Sequence, residues 1–362
     1  MQQLHVLKGI RRVLRFGLPV AIFLALAFFV ARDWHSEWQE LMRHQFQLNP
    51  WLLGCAFLGF ILQELSYGLI WRSVLMRMGY RLSLRVCLRI YLSSEFVRYI
   101  PGNVFHVVTR VLWVSKYGVS HPAAFASMMI ELITKMVAGA LIFAISLIFW
   151  GDIGQLVNGQ LVFILLGVVG VVTMLVFLHP RILNGALSFA LRLLKRDSIN
   201  LGMSYRDILL VVLAWCVSWI IAGSAFFLLL WALWPATPLA LLPICIGIYA
   251  LAWDVGFASF ITPSGLGVRE VVITAIFALA FPIPAGLSAV MAILSRLVST
   301  VAELLCVGVA YLGGAEQVRA LRSQQGTSSQ AIQTSALLAA EKDLGGAEML
   351  QSVVLDKGAS RE

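Results

Sequence analysis

The stretch Phe260-Ile-Thr-Pro-Ser-Gly-Leu-Gly-Val-Arg269-Glu270 sets Pro263, Ser264, Gly265 and Gly267, then two charges, inside an apolar run spanning about residues 239–281. Such a sequence is costly in lipid: backbone groups freed by helix breakers find no water at membrane depth and must be buried in protein or line a wet cavity. A second interruption, Glu95-Phe-Val-Arg-Tyr-Ile-Pro-Gly-Asn-Val-Phe-His-Val-Val-Thr-Arg110, falls around Pro101 and Gly102 in the first half of the chain. We therefore expect an all-α polytopic membrane protein with about six full spans and two broken or re-entrant helical hairpins.

Composition agrees with that reading: the chain is 60% hydrophobic and 12% charged, which argues against a soluble core. The net charge of +9 suggests a basic surface, but in a polytopic protein Lys and Arg gather in cytoplasmic loops, so no nucleic-acid partner is expected. Cys55, Cys87, Cys216, Cys245 and Cys306 lie scattered in apolar segments without CxxC spacing, so neither a metal site nor a disulfide framework is expected. Lys8, Arg11, Arg12 and Arg15 before an apolar run imitate a signal peptide, but no small-residue cleavage site follows at Val30-Ala-Arg-Asp-Trp34, which favours an uncleaved first span.

Residues 1–50 read as the first span, about residues 16–31, and an outer loop. Residues 51–312 read as the main membrane domain, and residues 313–362 as a disordered cytoplasmic tail rich in Gln, Ser, Ala and Gly. Within the main domain we expect full spans near residues 51–71, 122–150, 161–178, 205–233 and 285–312, with the segment 239–281 forming either a hairpin or two crossings. Basic clusters at Arg72, Arg77, Arg81, Arg85 and Arg89, and again from Arg181 to Arg206, read as cytoplasmic. They place both termini in the cytoplasm, in a plasma membrane of bacterial inner-membrane type. Trp51, Trp71, Trp150 and Trp234, near span ends, read as interfacial anchors.

In each half a breaker is followed, after about thirty residues, by a charged mid-span position, a distance that fits a half-helix, a turn and half a span. Pro101-Gly102 leads to Glu131, and Pro263-Ser264-Gly265 leads to Arg296. The two hairpins then enter from opposite sides, an inverted repeat of the kind secondary transporters use to build a midplane site.

The block Arg98-Tyr-Ile-Pro-Gly102, with Arg110 and Gly118 after it, and Pro263-Ser-Gly-Leu-Gly-Val-Arg-Glu270 resemble the transmembrane region of lysylphosphatidylglycerol synthases and the wider flippase-like domain family. The resemblance covers about residues 51–312 and implies a lipid-handling membrane domain, which in some relatives moves aminoacylated phospholipid between leaflets. Ser264 stands where a second glycine is common, and no soluble aminoacyl-transferase domain follows Leu312, so lysyl-lipid synthesis by this chain itself is not expected.

Ionisable groups inside spans cost about 2.5 to 3.5 kcal/mol each on an insertion scale, so each needs a partner or a purpose. Glu131 and Lys135 are spaced i, i+4 in the order that favours an ion pair, and either neutralise each other or meet substrate. Arg269 follows the second breaker, where helix-start amides face an anion, and its planar fork suits phosphate. We expect it to touch a headgroup, against internal pairing with Glu270 or Asp254. Glu270 itself suits the helix dipole.

Arg296 and Glu303 are too far apart along one helix face to pair, so each needs a partner elsewhere, with Glu64, Asp254 and Glu131 as candidates. Arg110 reads as a phosphate contact or a snorkelling cation, and Asn103 and His106 as groups that satisfy freed backbone or touch a headgroup. The resulting expectation is a flippase-like transporter whose polar cavity between the hairpins takes an anionic or zwitterionic, aminoacyl- or glycosyl-phospholipid, or a polyprenyl-phosphate-linked headgroup. The alternative is a membrane-embedded glycosyl- or aminoacyl-lipid transferase, or a subunit of one. No Gly-Lys phosphate loop, HExxH or GxSxG is present, so no catalytic residue or cofactor is assigned. The expected partners are membrane lipids, a separate lipid-modifying enzyme and a second copy of the chain.

Overall fold

The structure is a computed structural model that describes residues 48–96, 105–150, 176, 178–193, 202–259, 265, 267–280 and 286–310. The chain divides into two compact units, Met1–Gly308 and Val309–Glu362, and the described residues lie in the first apart from Val309 and Ala310. The expected first span, the breakers Pro101, Gly102, Pro263 and Ser264, Asn103 and the polar tail all lie outside the described residues, as does nearly all of the expected span 161–178.

Among the described residues the regular structure is helical, without strands. The helices are α1 (Pro50–Arg77), α2 (Leu84–Phe96), α3 (Phe105–Ser115), α4 (His121–Ser146), α5 (Pro180–Leu193), α6 (Tyr205–Leu233), α7 (Leu241–Ala258) and α8 (Val268–Ala280). A further helix, α9 (Gly286–Ala310), closes the series. Among the described residues five segments are long and apolar enough to cross a bilayer: α1, α4 with its 3-10 extension to Phe149, α6, α7 and α9. Helices α2, α3 and α8 each border residues outside the described ones: α2 at Phe96, α3 at Phe105 and α8 at Ala280.

Local sequence sets the starts of the long helices. Asn49 caps α1 by accepting from the Trp51 and Leu52 amides at 3.0 and 3.3 Å, with Pro50 in the first turn, where its missing N–H costs nothing. Ser204 and Asp207 form a reciprocal capping box on α6, which ends the basic loop and starts an apolar run. Where the sequence suggests only a loop, from Arg181 onward, the chain forms α5: Ile182 and Leu183 are followed by Ala186, Leu187 and Leu191 at helical spacing.

The long helices pack through small residues. α1 lies along α6, α7 packs on both α4 and α6, and α2 and α3 pack on α1 and α4 respectively. A methyl group added to Gly59 would come within 2.7 Å of Ala225 Cβ, and one on Gly223 within 2.8 Å of Ile246 Cβ. Without a hydrophobic drive between helices in lipid, this close backbone approach carries the dispersion contact that holds them. Gly223→Ala is expected to force α6 and α7 apart and to destabilise the fold by about 1–3 kcal/mol, read as a lower midpoint in detergent unfolding.

Large aromatic side chains fill the interior, and this corrects one sequence expectation. Trp51 is 84% exposed, as an interfacial anchor would be, but Trp71 is fully buried and donates to Ser127 Oγ at 3.0 Å. It is a core residue because α1 runs on to Arg77, leaving Trp71 short of the helix end.

Candidate functional site

A cavity of about 270 Å³ draws on both halves of the chain: Tyr91 of α2, Arg110 of α3, Trp253 of α7 and Arg269 of α8 all face it. Glu95 of α2, Glu131 and Lys135 of α4, Glu64 of α1 and Arg296 and Glu303 of α9 also line it, as does His106. Asp254 is buried beside it on α7.

Arg110 is only 1% exposed, and each of its three guanidinium nitrogens donates to a neighbour. Nη1 donates to Glu131 Oε2 at 2.7 Å, Nη2 to Glu95 Oε1, and Nε to Ser94 Oγ at 2.9 Å. Its face lies 4.0 Å from the Tyr91 ring centroid, and the Tyr91 hydroxyl donates to Glu131 Oε1 at 2.7 Å. This is a closed buried network, in which two carboxylates, a guanidinium and a phenol satisfy one another and tie α2, α3 and α4 together. Glu131 thus finds a cation on α3 in addition to Lys135 one turn along its own helix. Glu95 and Tyr91, to which the sequence reading gave no role, are essential to it.

Arg269 stands differently. Its side chain is 8% exposed, its guanidinium carbon sits 4.4 Å above the Tyr249 ring, and Nη2 has no hydrogen-bond partner among the described residues. No ion pair joins it to Glu270 or Asp254 among the described residues. Backbone geometry fixes its position. Gly265 has φ of +66°, and a Cβ there would lie 2.8 Å from the Gly256 carbonyl carbon, so α7 and the entry to α8 touch backbone to backbone. Only glycine permits both the conformation and the approach, and Arg269 then starts α8 over Gly256 and Tyr249.

Glu270 folds back so that Oε2 accepts from the Gly267 amide at 2.8 Å, the helix-start role that its sequence position suggests. Its Oε1 is 4.0 Å from Arg296 Nη1. Arg296 therefore meets a carboxylate on α8, one that the sequence-based candidates Glu64, Asp254 and Glu131 did not include.

Lys135 sits among aromatic rings. Its ammonium lies 3.6 Å from the Tyr67 centroid and 3.7 Å from that of Trp253, with Trp215 and Trp219 at 5.1 and 5.8 Å. Asp254 lies close by: Gly139, one turn after Lys135, leaves room for it, since a Cβ on that glycine would be 2.8 Å from Asp254 Cγ. Asp254 is 8% exposed, Oδ1 has no hydrogen-bond partner among the described residues, and Lys135 is the charged neighbour acting on it. The sequence held one signal of this box: Trp215 and Trp219 recur at i, i+4 in mid-span, where interfacial anchors do not belong. Among the described residues no group of three or more His, Cys, Asp or Glu is arranged to hold a metal ion.

Fold and site together define a polytopic α-helical membrane protein with an ion-lined cavity to which α1–α4 and α7–α9 contribute. A family model described as the lysylphosphatidylglycerol synthase TM region matches residues 16–306, and the chain belongs to that family. The match takes in the first apolar run as well as both motif regions, and sets the protein in a lipid-related membrane family. No curated protein matches the chain.

Proposed function

We propose that the protein is a flippase-like transporter that passes an anionic or zwitterionic lipid headgroup between leaflets through this cavity. The observation that carries the reading is Arg269: a buried guanidinium at a helix start, facing a cavity, with Nη2 unpaired among the described residues. An unpaired buried donor is costly, and a phosphate oxygen is the acceptor that best fits a planar charged fork. Arg110 and Arg296 already face carboxylates, so Arg269 takes the phosphate while Arg296 adds longer-range attraction. Glu64 and Asp254 balance the cations, and the acyl chains stay in lipid.

We read each broken segment as re-entrant because a breaker interrupts each apolar run, at Pro101-Gly102 and at Pro263-Ser264-Gly265. The shared order of broken segment followed by a charged span, in α2–α4 and again in α7–α9, supports an inverted repeat whose halves rock against each other. Loop charge supports both termini being cytoplasmic, and we set the protein in a bacterial inner membrane beside a separate lipid-modifying enzyme and a second copy of the chain.

Reconstitution tests this. Vesicles carrying the protein and fluorescent phosphatidylglycerol or polyprenyl phosphate are expected to lose inner-leaflet signal to a membrane-impermeant reductant faster than empty vesicles. Equal rates across phospholipids and polyprenyl-linked sugars would count against transport, and a new lipid species formed in expressing cells would favour the transferase alternative.

A further inference from the structure

The aromatic box around Lys135 is built like a receptor for an ammonium ion. Quaternary and alkyl ammonium ligands are recognised by rings that present their π-faces to the cation, strengthened where water is excluded. Here Tyr67, Trp215, Trp219 and Trp253 surround one ammonium, with the Asp254 carboxylate nearby. The rings are fixed in advance. Tyr67 and Trp215 pack at 5.2 Å, Trp219 and Trp253 at 5.4 Å, and Trp219 Nε1 donates to the Lys135 carbonyl at 3.1 Å. Tyr67, Lys135 and Trp253 line the cavity itself, so the box opens onto it.

Its position relative to Arg269 gives it meaning. Arg269 lies over Tyr249, and Trp253 is one turn further along the same face of α7, about 6 Å along the axis. A headgroup whose phosphate sat on Arg269 would therefore direct its next few atoms toward the box. In an ethanolamine or choline lipid those atoms end in an ammonium, and that place is already taken.

We propose that Lys135 is a built-in ammonium that fills the cation subsite of the cavity, so that the anion subsite at Arg269 selects phosphodiester lipids without a headgroup amine, those bearing glycerol, sugar or polyprenyl groups. The selectivity rests on the transport reading given above and narrows its anionic or zwitterionic range to the anionic, amine-free side. The occupancy of the box does not.

The test uses the full-length protein in detergent, titrated with tetramethylammonium chloride against sodium chloride at equal ionic strength and followed by tryptophan fluorescence. Wild type is expected to show no saturable change. Lys135→Ala empties the box and is expected to bind tetramethylammonium at least roughly tenfold more tightly than wild type. Lys135→Met refills the box without charge and is expected to behave like wild type. Should Lys135→Ala fail to fold, Lys135→Ala with Asp254→Asn removes the stranded carboxylate, and its rings alone are expected to give saturable binding.

In vesicles, wild type is expected to move phosphatidylglycerol and to leave phosphatidylcholine, whereas Lys135→Ala moves both. Saturable binding by wild type, or none by either emptied variant, would overturn the proposal. If both proteins move lipid with the same headgroup preference, the selectivity is overturned while the transport reading stands. If neither moves lipid but tetramethylammonium binding follows the pattern above, the filled box is supported and transport is not.

Discussion

Replacing Arg110 with alanine is expected to lower stability by about 3–5 kcal/mol, the range for removing one partner from a buried ion network. Glu95 and Glu131 would be left facing each other with the shared cation gone, and the Tyr91 hydroxyl would still donate to Glu131 alone. Unfolding in mixed detergent should show a large fall in midpoint, together with loss of the α2–α3 packing on α4. Arg110→Met combined with Glu95→Gln and Glu131→Gln removes the charges together, and is expected to recover much of the loss, because well-packed uncharged groups often replace a buried ion network at little cost. If Arg110 instead served the headgroup, the single variant would lose transport and keep its midpoint.

Arg269 is expected to show the opposite pattern. Arg269→Gln removes a guanidinium that has no ion-pair partner among the described residues and an unpaired Nη2, so the unfolding midpoint should stay the same or rise. Transport should fall by about 10- to 100-fold, since hydrogen bonds to a charged group contribute about 1.5–3 kcal/mol and each 1.4 kcal/mol is a factor of ten. Flux in reconstituted vesicles and unfolding of the same preparation separate the two effects. A variant that unfolds early but transports normally when folded would reassign Arg269 to structure.

The contrast between these arginines shows what the sequence could and could not tell. Of the breakers, Pro101, Gly102, Pro263 and Ser264 lie outside the described residues, while Gly265 and Gly267, at φ of +66° and +86°, stand between α7 and α8. The span limits at 205–233 and 122–150 were legible because capping residues and prolines mark where lipid-compatible sequence begins. Which arginine was neutralised was not legible. Glu95 lies fifteen positions before Arg110 in sequence, a separation that sets no distance until α2 and α3 fold against each other. Nor does a run of apolar aromatics announce that four rings will close on one lysine. That depends on α1, α4, α6 and α7 crossing at the same level, which glycine contacts such as Gly139 against Asp254 and Gly223 against Ile246 decide. Helix α5 is hidden in the sequence for a different reason: its basic residues suggest a loop, although Leu183 is buried and follows helical spacing.

The central claim is that a lipid headgroup enters the cavity between the two interrupted segments. A phosphatidylglycerol probe carrying a photoreactive group on its headgroup, incorporated into vesicles with the protein and mapped by mass spectrometry after illumination, tests it most directly. The account predicts adducts on Tyr249, Trp253 and the first turn of α8, competed by unlabelled lipid and lost in Arg269→Gln. Adducts confined to outward-facing residues such as Leu213, Val217 and Val301, with none on the cavity wall, would contradict it.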